Sequence, residues 1–267
     1  MGLTDAAPVG IASERARDAA LARHIAQTAG RILLELQQSG LFEGKALGKA
    51  GDRTANAFIM EALKAQRPHD AVLCEEEKDN PDRLAASRVW IVDPLDGTRE
   101  YGEARTDWAV HVALSIDGEP SLGAVALPGL GRTLCSGDPQ TVPPPAKRLR
   151  MLVSRTRPAA EAVAVAKALD AELVPMGSAG AKAMAVLRGE ADIYLHTGGQ
   201  YEWDNCAPAA VALAAGLHVS RADGSPLRYN NADTYLPDLL ICRKEHLGPV
   251  LRALTQFEPA ESKAERG

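Results

Sequence analysis

The stretch RVWIVDPLDGTREY (88–101) constrains this chain more than any other. A short apolar run, residues 89–92, reads as a buried strand that empties into Asp93. Pro94 has no N–H to give to a sheet, so the ladder is expected to stop there. Asp96 follows, then Gly97 and Thr98. Two carboxylates at the end of a buried strand repel each other unless a cation sits between them. Gly97 has no side chain to keep a ligand from the backbone. A helix starting at Thr98 would point its free N–H groups at the same place. Metal-binding carboxylates beside a helix N-terminus make a phosphate site. The ordinary alternative is an aspartate-rich turn capped by Thr98. It suits an isolated Asp-Pro better than a full DPLDGT behind an apolar strand.

Two other segments supply acids. AVLCEEE (71–77) is a second short apolar run, ending in Glu75, Glu76 and Glu77. Alone it would be a solvated acidic turn. If its strand lies beside 89–92 in one sheet, Glu75 and Asp93 converge, and magnesium, which prefers oxygen ligands, suits such a cluster. YEWDNCAPAAVALAAG (201–216) places Asp204 just before an alanine-rich helical run. An aspartate there reads as an N-cap, and a capping aspartate can also face a metal. Trp203 reads as core.

Composition narrows the class. The chain has 267 residues, 46% apolar and 24% charged, the balance of a globular protein of one large or two small domains. Lys plus Arg is 30 against 35 Asp plus Glu, a net charge of −5, which gives no basic surface for nucleic acid. No run of apolar residues is long enough for a membrane span, and the N-terminus has no secretory pattern, so a cytoplasmic protein is expected. Cys74, Cys135, Cys206 and Cys242 form no CxxC pair and no HExxH occurs, so zinc is not indicated and free buried thiols are expected. No GxxxxGK[ST] and no GxGxxG supports a nucleotide-binding loop of those types.

Periodicity gives helices over 13–38 and 54–66, with a glycine- and lysine-rich mobile loop at 41–52 between them. Strands follow at 71–74, 89–92, 108–116, 122–127 and 132–136, the third ending in an Asp117-Gly118 turn. The proline-rich segment 137–145 reads as a linker. Beyond it strands at 149–153, 172–174 and 191–195 alternate with helices at 158–169, 178–188 and 205–215, an α/β pattern. The expected organisation is an α+β half over 1–136 carrying the metal cluster and an α/β half over 147–267 supplying Asp204. The charged tail from Pro259 is expected to fray.

Taken in order and spacing, the glutamate pair at 75–76, DPLDGT at 93–98, GSAGAKAMAVLRGEADIYL at 177–195 and WD at 203–204 resemble the inositol monophosphatase superfamily. The resemblance covers most of the chain. It implies a layered αβαβα sandwich, lithium-sensitive phosphatase activity with two or three magnesium ions, and a homodimer. Within the superfamily, Arg99-Glu100-Tyr101 after DGT, VSRTR (153–157) and PLRYNN (226–231) resemble the CysQ branch, which acts on 3′-phosphoadenosine-5′-phosphate, a small nucleotide substrate. By position, Glu75, Asp93, Asp96, Asp204 and the Leu95 carbonyl would be metal ligands. Gly97 and Thr98 would hold the phosphate, while Asp52, Glu76 or Thr98 would orient or deprotonate water. Ser154, Arg157, Ser178 and Lys182 would meet the rest of the nucleotide; apart from the resemblance, Arg99 is a further cation available for a 5′-phosphate, and Tyr101, Tyr201 and Tyr229 are available as a flat surface for adenine.

Two departures stand out: LGKAGD (47–52) replaces the family's SPVTxAD, and Arg157 replaces the branch's histidine. Inositol-1-phosphate and fructose-1,6-bisphosphate remain alternative substrates. The haloacid-dehalogenase motif DxDGT spaces its aspartates two apart, not three as here. A non-catalytic anion sensor would be expected to have lost a carboxylate.

Overall fold

The computed structural model describes residues 9–145 and 147–257. The chain opens with two long helices, α1 (Val9–Gln38) and α2 (Gly44–Gln66). The first sheet follows: β1 (Ala71–Cys74), β2 (Arg88–Asp96), a five-residue helix α3 (Thr98–Gly102), then β3 (Ala109–Ile116), β4 (Glu119–Leu127) and β5 (Arg132–Cys135). Its strands lie in chain order. β1 runs parallel to β2, and every later pair is antiparallel. Residues 137–145 carry neither helix nor strand.

The alternating part comes next: β6 (Arg150–Ser154), α4 (Ala160–Ala168), β7 (Glu172–Met176), α5 (Ala179–Leu187) and β8 (Ile193–His196). Then come β9 (Gln200–Tyr201), α6 (Glu202–Ala214), β10 (His218–Ser220), β11 (Tyr235–Leu236), β12 (Leu239–Cys242) and α7 (Lys244–Thr255). The second sheet has the order β10-β12-β8-β6-β7, and β9 pairs with β11 in a separate two-stranded ribbon.

Period-two alternation along the strands builds the layers. In β2, Trp90 and Val92 face α1 and α2, whereas Val89 and Ile91 face α5 and α6. The helix pair α5 and α6 is sandwiched between the two sheets, and α4 and α7 cover the far face of the second sheet with Val165, Ala166 and Val250. The sequence of layers is α1/α2, sheet, α5/α6, sheet, α4/α7, an αβαβα sandwich. Ala207, Ala209 and Ala212 explain why α6 fits there: small side chains let a helix lie close to sheets on both sides.

Three expectations change. Residues 44–52 are not a mobile loop but the first turns of α2, which continues without a break to Gln66. Glycine's low helix propensity is overridden by packing. A Cβ at Gly48 would lie 2.7 Å from Thr98 Cγ2, and one at Gly51 would lie 2.7 Å from Tyr101 Cε1, so the glycines let α2 close onto α3. α6 begins at Glu202 rather than 205, which moves Asp204 from the cap into the first helical turn. β2 runs on through Pro94 to Asp96. All four cysteines are free and buried. The tail from Pro259 lies outside the described residues.

Candidate active site

The irregular end of β2 builds the site. Asp93 pairs with His111 and Asp96 with Ala109, so three steps on β2 match two on β3. In a regular strand, residues three apart point to opposite faces. The extra residue is a β-bulge, which re-aims a side chain. It brings Asp93 and Asp96 to one side, and Pro94 sits where no ladder N–H is required. Leu95 N–H donates to Asp93 Oδ1 at 3.0 Å and fixes that carboxylate.

Asp204 arrives from α6. Its Oδ2 accepts from Tyr201 N–H at 2.6 Å, a helical side chain reaching back to its own N-cap. Carboxylate oxygens of Asp93, Asp96 and Asp204 all lie within 4.8 Å of one another. Asp93 and Asp96 are buried. Glu75, at the mouth of β1, keeps an exposed face, but its carboxyl meets Asp93 and feels the charge of Asp204.

The electrostatics record that crowding. Burial, then the charges of Glu75, Asp96 and Asp204, push Asp93 well above the usual carboxylate range. Burial and Asp96 raise Asp204 to about 6. Desolvation and Asp204 raise Glu75 to about 7. Asp96 goes the other way. Burial opposes its ionisation, but His111, Ser178 and the Gly180 N–H outweigh that and hold it at about 2. Ser178 Oγ donates to Asp96 Oδ2 at 2.5 Å, Gly180 N–H at 2.6 Å, and Ala179 N–H reaches Oδ1 at 3.1 Å. His111 Nε2 lies 3.2 Å from Oδ2, and its Nδ1 is 3.0 Å from the Trp203 carbonyl. Acids that resist ionisation because they are buried together and repel one another are relieved by a cation in their midst. The donor set is all oxygen, so these residues fit a hard divalent cation such as magnesium, not zinc.

The remaining expected residues surround this cluster. Gly97 caps α3 at φ +89, and a Cβ there would press on Ser178 and Trp108. The first turn of α3, from Thr98, has the N–H groups every helix leaves unpaired. Thr98 Oγ1 lies 3.1 Å from the Leu95 carbonyl and 3.3 Å from Asp52 Oδ1. Asp52 is carried by α2; desolvation, then the charge of Glu76, raises it to about 6. Gly97, Thr98, Arg99, Ser154, Arg157, Ser178 and Lys182 all line one open cleft of about 260 Å³.

Within that cleft the cations differ. Lys182 is buried, and its ammonium donates to the carbonyls of Ser178 at 2.6 Å and Gly177 at 3.2 Å. Among the described residues, the side chains of Arg99 and Arg157 make no ion pair. Of the tyrosines, Tyr101 is buried with its hydroxyl on the Leu33 carbonyl, and Tyr229 is buried with its hydroxyl on Asn205. Tyr201 is 46% exposed, its ring stacked on Trp203 at 4.9 Å.

Two contributors are not singled out by any sequence motif. His111 is a lone histidine in an apolar strand; its only signal is its register opposite Asp93. Glu202 is buried and accepts from the N–H groups of Asn230 and Asn231, which ties the PLRYNN segment to the start of α6.

Comparison with known proteins agrees with this architecture. The model of the inositol monophosphatase family matches residues 15–256. A 3′-phosphoadenosine 5′-phosphate phosphatase of Mycobacterium leprae is 51% identical over 252 residues, covering 88% of this chain and 92% of that protein. The 3′(2′),5′-bisphosphate nucleotidase CysQ of Escherichia coli is 31% identical, covering 70% of this chain and 81% of its own. The crystal structure of CysQ from Bacteroides thetaiotaomicron superposes with a TM-score of 0.75 at 25% identity, covering 85% of this chain and 97% of that one. An inositol monophosphatase from Anabaena shares the fold at a TM-score of 0.72 and 22% identity, covering 94% and 99%. With the family model spanning nearly all of the described residues, the chain belongs to the inositol monophosphatase family.

Proposed function

We propose that this protein is a magnesium-dependent, lithium-sensitive phosphatase that removes the 3′-phosphate of 3′-phosphoadenosine-5′-phosphate, giving AMP and inorganic phosphate. The observation that carries the reading is the bulge of β2. It brings Asp93 and Asp96 together with Asp204 of α6 beside the start of α3, at the edge of a cleft lined by Arg99 and Arg157. The names of the relatives support the choice of nucleotide. The reading includes two or three magnesium ions per site, a homodimer and a cytoplasmic location, all implied by the family resemblance.

Asp93, Asp96, Asp204, Glu75 and the Leu95 carbonyl would hold the metal. Bound there, it would neutralise phosphate charge, make water a better nucleophile and stabilise the leaving 3′-oxygen. The chain's own groups do the rest. The N–H groups at Gly97 and Thr98 orient the phosphate. Thr98 Oγ1 and Asp52 align the attacking water, and Asp52, poised near 6, takes its proton. Glu76 acts through its charge on Asp52. Water oxygen joins phosphorus as the bond from phosphorus to the ribose 3′-oxygen breaks, and the released 3′-oxygen takes up a proton from solvent. Arg99 and Arg157 meet the 5′-phosphate, Ser154 and Ser178 line its approach, and Lys182 fixes the loop that presents Ser178. Tyr201 offers the exposed ring for adenine.

The test is phosphate release from 3′-phosphoadenosine-5′-phosphate, inositol-1-phosphate and fructose-1,6-bisphosphate, with magnesium, with and without millimolar lithium. A large preference in kcat/KM for the nucleotide, abolished by lithium, is expected. Equal or better turnover of a sugar phosphate would move the function to another branch of the family.

A further inference from the structure

Arg155 lines the same cleft as Ser154 and Arg157, yet its charge is taken up by carboxylates of the protein itself. Its Nη2 lies 2.8 Å from Glu100 Oε1 and 2.9 Å from Glu103 Oε2, and its Nε is 3.3 Å from Glu100 Oε1. Both glutamates belong to α3 or its end, whose first turn faces the metal cluster. Two carboxylates on one guanidinium leave no positive charge for a ligand. Glu100 is itself wedged in place: its side chain is 10% exposed and lies so close beneath Gly177 that a Cβ there would collide with it. Three turns therefore meet at one carboxylate: the start of α3, the turn after β6 and the turn before α5.

We infer that Glu100, Glu103 and Arg155 form a clamp that fixes the distance between the start of α3 and Arg157, and so sets the preference for substrates with a second phosphate. The inference rests on the nucleotide reading above. Arginine suits the role because Nη2 reaches both carboxylates while Nε adds a second contact to Glu100, donors held in one rigid plane that lysine's flexible point charge does not supply. The turn has separate supports, Arg155 N–H to the Met176 carbonyl at 3.2 Å and Arg157 N–H to Ser154 Oγ at 3.3 Å, so the fold does not depend on the clamp. Arg155, Glu100 and Glu103 are positioning residues that act through Arg157.

The test compares 3′-phosphoadenosine-5′-phosphate with 3′-AMP, which lacks only the 5′-phosphate. Wild type, Arg155→Ala, Arg155→Lys and Glu103→Gln are assayed for kcat and KM with magnesium, after thermal melts. In Arg155→Ala the preference for the bisphosphate should fall at least about tenfold, through KM, with 3′-AMP turnover within about threefold of wild type. Arg155→Lys should be intermediate, and Glu103→Gln should lose about two- to threefold. Were Arg155→Ala not to fold, the other two variants decide the matter. A preference retained in the variants overturns the clamp alone, as does an equal loss on both substrates. A wild-type enzyme with no preference for the bisphosphate overturns both the clamp and the nucleotide reading.

Discussion

Asp96 is the most heavily bonded carboxylate of the site and the one held ionised, by His111 and the start of α5. It therefore supplies a fixed negative charge before any cation arrives, while Asp93 and Glu75, and Asp204 below about pH 6, would surrender protons when one does. Asp96→Asn should lose at least about 10³-fold in turnover, the several kcal/mol a catalytic metal supplies, while its circular dichroism stays native. Wild-type-like phosphate release would refute its metal role. Asp52 sits near 6, so kcat/KM should fall as pH drops through about 6 and the carboxylate protonates. Asp52→Asn should be slower by about 10²-fold or more and, at saturating magnesium, lack that acid limb. Tyr201→Ala keeps the backbone N–H that Asp204 needs and removes only the ring. Stacking of a base on an aromatic contributes about 1–3 kcal/mol, so KM for the nucleotide should rise about 5- to 100-fold while inositol-1-phosphate is unaffected. The carboxylates proposed for the metal are legible in the sequence because Glu75 and Asp93 end apolar runs, Asp96 follows in the same segment, and Asp204 opens a third. His111 and Arg155 are not, because their partners are distant in sequence and only the fold brings them together.

At the scale of elements, the strands and the alternating half follow from period-two and period-3.6 patterns, because burial on defined faces writes those patterns. The misreadings have one cause: local propensity yielding to packing. Gly48 and Gly51 suggest a loop until the close approach of α3 is known, and Pro94 suggests a strand end until the bulge is seen. The same closeness makes a prediction. A side chain at Gly51 would press on Tyr101 and on Leu95 Cδ2, 2.9 Å from the Cβ position. Gly51→Val should cost about 1–3 kcal/mol, lowering Tm by several degrees, and should reduce activity by displacing Asp52. A variant that melts and turns over like wild type would show that α2 is not held where Asp52 needs it.

For the molecule as a whole, the αβαβα layering puts the acidic cluster where β2, α5 and α6 meet, so metal binding and folding are linked. Glu75 at about 7 and Asp204 at about 6 hold protons in the folded state that the unfolded chain has released. Stability of the metal-free protein should therefore, with respect to these groups, be greatest below about pH 4, decline between about pH 4 and 7, and level off above that. Magnesium reverses the trend by binding the ionised forms. At 100 times Kd it adds about 2.7 kcal/mol, several degrees in Tm, and the gain should be larger at pH 7.5 than at pH 5. The most direct measurement is calorimetric titration of magnesium into wild type and Asp204→Asn at pH 7, in two buffers of different ionisation enthalpy. The expected result is saturable binding with net proton release in wild type, weakened at least about tenfold in the variant. Identical binding in the two proteins would contradict a metal centre built from Asp93, Asp96 and Asp204; binding without proton release would contradict the raised acids Asp93 and Glu75 beside it.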